Sequence, residues 1–288
     1  MRRGFLLIFT LCLWARFAAP DDLAARDQSA LNSTLWAGTA VEHDAATLQT
    51  YRLAGAMLDK ALEDRTWTAA IEQRDTVFRR LPPAIIMDID ETILDNSPFQ
   101  ALLLTKDVRD DDPVWNSWVA QAQAKPLSGA VEFARYAHSR GVAVFYVTNR
   151  DASQKPATWS NLARAGFPLD RDLDTLYCAG ERPAWGKDKT TRRAEIARHY
   201  RILLLFGDDL NDFVSGANAS VADRRKLAEP YQDYWGSKWF ILPNAMYGSW
   251  EKALYDPATN PNEAETLRLK YEAIREMLDG AGAGAATQ

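Results

Sequence analysis

Three apolar runs in the chain lack the alternation of polar and apolar positions that marks a half-exposed strand. They cover residues 84–87, 142–147 and 202–206. Strands buried on both faces have this composition, so each run predicts a strand inside a parallel sheet. Every run leads directly into polar residues, and these polar clusters should meet at the carboxyl ends of the strands, where ligands bind in such sheets.

Helical periodicity fills the stretches between the runs. Within residues 44–64, Leu48, Tyr51 and Leu58 recur at helical spacing, and the pattern continues in a second helical segment over residues 67–78. Further helices are predicted over residues 128–140, 157–165, 190–200 and 263–278. This alternation of strands and helices predicts an α/β fold, with a parallel sheet covered by helices on both faces.

Residues 95–125 form an insertion after the first strand that is too long for a simple strand-to-helix turn. It contains two tryptophans, Trp115 and Trp118, and we interpret it as a cap over the site. The predicted organisation is a helical N-terminal segment, a core that carries the cap, and a C-terminal helix with a flexible tail. Their boundaries are residues 20–80, 81–254 and 255–288, respectively.

The N-terminus begins with two arginines after Met1, followed by an apolar run over residues 4–14 that is too short to span a bilayer comfortably. This pattern predicts a secretory signal peptide over residues 1–19, so we expect an exported protein, periplasmic or secreted. Retention as a membrane anchor and lipid modification of Cys12, with outer-membrane association, are the alternatives. After cleavage Cys178 would be the single cysteine, which excludes an internal disulfide.

The composition is that of a globular protein, with 288 residues of which 47% are hydrophobic and 25% charged. A formal net charge of −5 argues against binding of a nucleic-acid polymer, because a groove for such a ligand needs a basic face. An anionic substrate must therefore be attracted locally, by a metal ion or by a few placed cations. Homo-oligomers are compatible with this composition.

Asp88 and Asp90 follow the first strand directly, and both should leave the sheet edge on the same side. Two carboxylates so close repel one another; a divalent cation at one of them relieves this repulsion, while the other can stay protonated. The pair suits phosphoryl transfer, in which one aspartate attacks phosphorus and the other protonates the departing oxygen. Aspartates in this position also form turns or cap helices, which is the alternative for the motif alone.

Three polar residues elsewhere favour the catalytic interpretation. Thr148 can hold a phosphate oxygen, Lys189 can offset phosphate charge, and Asp208 can supply a second carboxylate to Mg²⁺. The alternatives are a helix N-cap for the threonine and an exposed basic helix start for the lysine. Separate strands that each end in a suitable polar group are hard to explain by packing alone.

These clusters match, in order, the motifs of the haloacid dehalogenase superfamily, and the chain resembles the bacterial class C acid phosphatases in particular. The similar stretches are residues 88–97, 145–150, 207–213 and 242–251. That family includes outer-membrane lipoproteins with nucleotidase activity. The resemblance covers about residues 34–254, and it implies a Rossmann-like core with a helical subdomain built partly from the N-terminal segment and the C-terminal tail.

The resemblance also implies a role for each matching residue. Asp88 matches the nucleophile, Asp90 the acid/base residue and Thr148 the phosphate anchor. Lys189 matches the motif lysine because its spacing to the two following arginines is similar to the family's K-x-x-R pattern. Lys187 is close enough to be the alternative.

The implied cofactor is Mg²⁺, bound by the carboxylates of Asp88 and Asp208 and by the backbone carbonyl of Asp90. Thr92 and Asn149 belong to the same motifs and are predicted to bind substrate. One departure from the family concerns the neighbouring residue Asp209, which stands where some relatives carry asparagine and should add negative charge near the metal.

Trp115 and Tyr247 fall at positions similar to those where the family stacks the aromatic base of its substrate, with plain packing as the alternative. The function implied is a Mg²⁺-dependent acid phosphatase that hydrolyses small phosphate monoesters, nucleoside monophosphates among them, through an aspartyl-phosphate. The three histidines are isolated, which argues against a phosphohistidine mechanism. A dehalogenase on this fold would not need Asp90, and a non-catalytic binding or storage protein is the alternative from another class.

Overall fold

The structure is a computed structural model, and it describes residues 30–106, 112–170, 172–255 and 261–285. The predicted signal segment, residues 1–19, lies outside the described residues. Within them, none of the helices has the length and apolar character needed to cross a membrane.

The described residues contain a central sheet and one small separate pair of strands. In chain order the strands are β1 (Pro83–Met87), β2 (Leu94–Asp95), β3 (Lys125–Pro126), β4 (Ala143–Asp151), β5 (Leu176–Ala179), β6 (Arg201–Gly207) and β7 (Trp239–Ile241). The central sheet has the order β5-β4-β1-β6-β7, and all of its pairings are parallel. The three predicted strands form its middle, and β5 and β7, which the sequence patterns did not indicate, form its edges.

Helices lie before the sheet, between its strands and after it. In chain order they are α1 (Leu31–Thr39), α2 (Val41–Glu63), α3 (Ser97–Thr105), α4 (Asp112–Gln121), α5 (Ala130–Ser139), α6 (Lys155–Ala165), α7 (Thr190–His199), α8 (Val221–Ala228), α9 (Ser249–Lys252) and α10 (Glu263–Ala285). The predicted α/β class is therefore confirmed.

Successive side chains of β1 enter two different cores. Ile85 and Met87 join the buried cluster that contains Tyr51 of α2 and residues of α5 and α6. Ala84 and Ile86 join the cluster on the other face, which contains residues of α7. Because the strand is covered on both faces, both sets of positions must be apolar, which is why the sequence shows no alternation there.

Strands β2 and β3 enclose the insertion that the sequence predicts as a cap. They pair in antiparallel fashion, with Leu94 opposite Pro126, so the chain leaves the core and returns to it at one place. Between them, α3 packs against α1 of the N-terminal segment, and α4 packs against α6 of the core. The insertion is thus anchored on both sides.

The second predicted helical segment, over residues 67–78, is wrong. This stretch contains one short 3₁₀ turn, Ile71–Gln73, in otherwise irregular chain. The buried Gln73 amide donates to the carbonyls of Ala197 and Tyr200 at 2.8 and 2.7 Å. These tertiary hydrogen bonds hold the segment in an irregular course that helical periodicity alone could not indicate.

The C-terminal helix is longer than the predicted stretch of residues 263–278, since α10 continues to Ala285. Alternating alanines compensate for the low helix propensity of the intervening glycines. An ion pair of 2.5 Å between Lys270 and Glu251 connects α10 to α9.

Candidate active site

The polar clusters predicted from the sequence converge at the carboxyl ends of β1, β4 and β6. Asp88 is the first residue after β1, and its backbone N–H donates to the carbonyl of Phe206 at 3.0 Å. Lys189, directly before α7, donates from Nζ to Oδ1 of Asp88 and, at 2.5 Å, to Oδ1 of Asp212. All three of these charged side chains are buried. Lys187 is exposed, so the geometry places Lys189 and not Lys187 against Asp88.

Asp208, directly after β6, completes a group of three carboxylates. Asp88, Asp208 and Asp212 each offer one oxygen atom, and these atoms all lie within 4.8 Å of one another. Thr92 Oγ1 lies 3.1 Å from Oδ2 of Asp88 and 3.3 Å from Oδ1 of Asp208. Asn244 donates from Nδ2 to the other oxygen of Asp208 at 2.8 Å. The Thr92 hydroxyl therefore contacts two carboxylates, and its predicted contact with substrate stays a prediction.

The three carboxylates face a single ammonium group, so the site carries excess negative charge. Burial raises the pKa of Asp88 to about 7, against the lowering effect of Lys189 and together with the raising effect of Asp212. Burial and the charges of Asp212 and Asp88 likewise raise the pKa of Asp208. Burial opposes the charged form of Lys189, but the two carboxylates beside it raise its pKa overall. Oxygen donors with uncompensated negative charge are the ligand set that a hard divalent cation prefers.

Thr148 lies inside β4, which continues past the predicted end at residue 147 as far as Asp151. Its side chain is fully buried, and its hydroxyl accepts a hydrogen bond from the backbone N–H of Arg150 at 3.1 Å. The buried Arg192 guanidinium donates to the carbonyl of Thr148 and, at 2.6 Å, to Oδ1 of Asn149. An arginine of the K-x-x-R pattern therefore fixes the part of β4 in which Thr148 and Asn149, both predicted to bind substrate, lie.

Asp90 has a separate set of partners. Its carboxylate forms an ion pair with Arg150, whose Nη2 lies 2.7 Å from Oδ1 and whose Nε lies 3.1 Å from both oxygens. Asn96 donates from Nδ2 to Oδ1 at 2.8 Å. The two aspartates of the D-x-D motif therefore lie next to each other in sequence but are held by different side chains.

The two predicted stacking residues lie on different elements. Trp115, on α4, is half-buried, packs edge-on against Phe99 at 5.0 Å and lies 5.5 Å from the Arg150 guanidinium carbon. Tyr247 is half-buried in the loop before α9, and its carbonyl accepts a hydrogen bond from Trp250 at 3.2 Å. Trp115 thus contacts Arg150, the partner of Asp90. Tyr247 instead lies three residues after Asn244, the partner of Asp208.

A sequence model of the haloacid dehalogenase (HAD) superfamily, subfamily IIIB, described as acid phosphatase, matches residues 26–250. The chain belongs to this family. The class C acid phosphatase from Bacillus anthracis has a similar structure, with a TM-score of 0.73 and 34% sequence identity over 85% of this chain and 96% of that one. A structure of that phosphatase with tungstate bound gives the same values.

Acid phosphatase 1 from Solanum lycopersicum is 28% identical over 167 residues, which is 56% of this chain and 57% of the tomato protein. The chain therefore spans little more than half the length of this relative. The predicted resemblance to HAD acid phosphatases is confirmed, and with it the expectation that the chain belongs to a family of phosphomonoester hydrolases.

Within this HAD phosphatase, Asp209 connects two loops. Its carboxylate accepts hydrogen bonds from the backbone N–H groups of Asn211 at 3.0 Å and of Ser249 at 2.6 Å. These bonds lower its pKa even though burial opposes them. The sequence interpretation of Asp209 as added charge near the metal missed this contact, which ties the turn after β6 to the loop that carries Tyr247.

Four residues of the site lie in the stretches that carry the family resemblance but were not given a role from the sequence: Asp212, Asn244, Asn96 and Arg150. Asp212 folds back onto the end of β6, where a Cβ atom on Gly207 would lie between 2.2 and 2.4 Å from its side-chain atoms. Gly207 leaves room for this approach because it has no Cβ atom. The contacts of the other three residues are visible only in the structure.

Proposed function

We propose that this HAD phosphatase hydrolyses phosphate monoesters in a Mg²⁺-dependent reaction, with an aspartyl-phosphate on Asp88 as the intermediate. The observation that carries the proposal is the buried Asp88 carboxylate, which contacts Lys189 and shares a 4.8 Å cluster with Asp208 and Asp212. A buried carboxylate beside a cation and two further carboxylates is suited to attack an anionic group that arrives with a metal.

The donor set fits Mg²⁺, which prefers carboxylate and carbonyl oxygens. Asp88 and Asp208 would hold the ion together with the Asp90 carbonyl, and Asp212 lies close enough to orient the set. When bound, Mg²⁺ would withdraw charge from the phosphoryl oxygens and offset the excess negative charge of the cluster.

In the proposed reaction, an Asp88 oxygen forms a bond to phosphorus as the bond to the ester oxygen breaks. The reacting form is the one in which Asp90 carries a proton, rather than the carboxylate paired with Arg150, and it gives that proton to the departing oxygen, so the alcohol leaves neutral. Asp90 then takes a proton from water, whose oxygen attacks phosphorus and releases inorganic phosphate and free Asp88. Lys189 offsets charge on Asp88 throughout, and Thr148 anchors a phosphoryl oxygen.

Nucleoside monophosphates are the substrate class that we propose. The side chains of Trp115 and Tyr247 are both half-buried, so each keeps some exposed area for contact with a base. Stacking of a flat base on such faces adds about 0.5–1.5 kcal/mol beyond burial of apolar area. A base between these residues would select nucleotides over phosphate esters without a ring.

The test is hydrolysis of a nucleoside monophosphate and of p-nitrophenyl phosphate, with Mg²⁺ and after treatment with a chelator, in water–methanol mixtures. We expect turnover that requires the divalent ion, inhibition by the phosphate-like oxyanion tungstate, and the same ratio of methyl phosphate to phosphate from both esters. A ratio that depends on the leaving group would exclude a common phosphoryl-enzyme intermediate. Absence of turnover with every ester and metal would favour a binding protein.

We also propose that the protein is exported, on the basis of the arginine-led apolar segment within residues 1–19. Mass spectrometry of the N-terminus of protein from the periplasm or medium would locate the cleavage. An intact Met1 in protein recovered from the cytoplasm would exclude export.

A further inference from the structure

The Asp90 carboxyl group is held from two directions by side chains that contact neither Asp88 nor Asp208 in the described structure. Arg150 is only 2% exposed, and its Nε and Nη2 atoms approach both oxygens of Asp90. The fully buried Asn96 donates to Oδ1 at 2.8 Å. A planar guanidinium with two donors on one carboxyl fixes both its position and the orientation of its plane.

Arg150 and Asn96, which hold the Asp90 carboxyl group, are themselves fixed by further contacts. Arg150 donates from Nη1 to the Thr158 hydroxyl at 3.2 Å, and its guanidinium lies beside the Trp115 ring. Asn96 donates from its backbone N–H to Oε1 of Glu91 at 2.7 Å and accepts at Oδ1 from Nε1 of Trp118 at 2.8 Å.

Trp115 and Trp118 are both on α4, the second helix of the cap. Each contacts a different partner of Asp90: the Trp115 ring lies beside Arg150, and Trp118 donates a hydrogen bond to Asn96. The contacts therefore run without interruption from the cap helix to the carboxyl group of Asp90.

We propose that Arg150 and Asn96 are positioning residues that orient the Asp90 carboxyl group towards the leaving-group oxygen. We propose further that Trp118 links this orientation to the cap. The inference rests on the proposed role of Asp90 as the acid. Proton transfer needs heavy atoms within about 2.6–3.2 Å of each other, so a carboxyl group that can rotate freely loses efficiency even when it is present.

A merely structural role for the same contacts makes a different prediction. If Arg150 and Asn96 only stabilise the fold, their loss lowers the rate with every substrate by a similar factor. If they orient Asp90 as the acid, their loss lowers the rate only when the leaving oxygen needs a proton. An alkoxide is a strong base and needs the proton, whereas p-nitrophenolate is a weak base and leaves without it.

The experiment compares kcat/KM for glycerol 2-phosphate and p-nitrophenyl phosphate, because kcat/KM reports only the steps up to departure of the leaving group. The variants are Arg150→Lys, which keeps the charge but loses the fork, Asn96→Ser, and Trp118→Phe, which keeps the ring but loses the donor. We expect the alkyl ester to lose about 10- to 100-fold for the first two and a smaller factor for the third, with the aryl ester within about threefold.

Lys155→Ala is the matched control, since it removes the two ion pairs that Lys155, the first residue of α6, forms with Asp174 and Glu181, and it does not touch Asp90. We expect it to leave the ratio of the two kcat/KM values unchanged. Circular dichroism and thermal melting show whether each variant is folded. If Arg150→Lys does not fold, Trp118→Phe still tests the proposal.

Asp90→Asn separates this inference from the proposed function. If Asp90→Asn loses the alkyl ester selectively but the folded positioning variants lose both esters equally, the positioning roles are wrong and the acid role stands. If Asp90→Asn itself shows no selectivity for the alkyl ester, the acid role is wrong and the inference is overturned with it.

Discussion

The two aspartates of the D-x-D motif differ more in their surroundings than their spacing suggests. Asp88 belongs to a group of three carboxylates that share one ammonium, Lys189. Asp90 is paired one-to-one with Arg150 and receives a further neutral hydrogen bond. The Asp88 side therefore has charge left to bind a cation, whereas the Asp90 side is compensated and defines an orientation. Substitutions on the Asp88 side should therefore change metal binding and the response to charge most, whereas substitutions on the Asp90 side should change the dependence of the rate on the leaving group.

The largest expected effect follows from Asp88→Asn, which keeps the shape of the side chain and replaces the nucleophilic carboxylate with a neutral amide. We expect kcat to fall by about 10⁴-fold or more, as loss of a nucleophile does in other covalent enzymes. Burst kinetics with p-nitrophenyl phosphate should show no phosphoryl-enzyme. Mg²⁺-dependent turnover at the wild-type rate would refute the assignment of Asp88.

The next effect concerns Lys189, whose loss leaves Asp88 and Asp212 buried without their cation. Breaking a buried ion pair costs about 3–5 kcal/mol, so we expect Lys189→Met to lower the free energy of unfolding in urea by that amount when no divalent ion is present. Lys187→Met is the control, because an exposed lysine changes stability by less than about 0.5 kcal/mol. Equal losses in the two variants would show that the buried contact does not matter.

The third effect is a pH dependence of the metal-free protein. The pKa of Asp88 is raised to about 7 by burial, against Lys189 and with Asp212, while an unfolded aspartate titrates near about 3.9. Its stabilising contribution is thus fully present below the unfolded pKa and is lost as the pH rises through about 7.

Thermal melting in chelator should therefore show stability falling between about pH 4 and 7, and Asp88→Asn should show a smaller fall. Mg²⁺ at about 100 times its Kd should restore about 2.7 kcal/mol to the wild type. Melting temperatures with the same pH dependence in wild type and Asp88→Asn would contradict the assignment of this titration.

The Asp88 side of the site was largely predictable from sequence, for a physical reason. Strands buried on both faces must be apolar at every position, so their ends are visible in the sequence, and parallel strands bring those ends together. The convergence of Asp88, Thr148 and Asp208 follows directly from their positions at these predicted strand ends. The role of Asp212 required one more step, the close approach that only Gly207 allows.

The Asp90 side was not predictable in the same way. Arg150 lies 60 residues from Asp90 in sequence, and its place in the similar stretch of residues 145–150 does not show which carboxylate it pairs with. The position of Asn96 depends on how the insertion returns to the core through β2 and β3, which pair residues about thirty positions apart. The failure over residues 67–78 has the same cause, since the buried amide of Gln73 finds its partners more than 120 residues away.

The smallest expected effects separate the two predicted stacking residues. Tyr247 follows Asn244, a partner of Asp208, and its loop is tied to Asp209, whereas Trp115 faces Arg150. We expect Tyr247→Ala to raise KM for a nucleoside monophosphate by about two- to tenfold, the value of one aromatic stacking contact, with kcat unchanged.

Trp115→Ala should raise KM by a similar factor and also lower kcat/KM for glycerol 2-phosphate, which has no base to stack, because the Arg150 guanidinium loses the ring beside it. Steady-state kinetics with both esters measures the two contributions separately. If Trp115→Ala affects only the nucleotide, the ring is a binding platform without influence on Asp90. If Tyr247→Ala weakens both esters equally, its role is packing of the loop, and nucleotide selection must then depend on Trp115 alone.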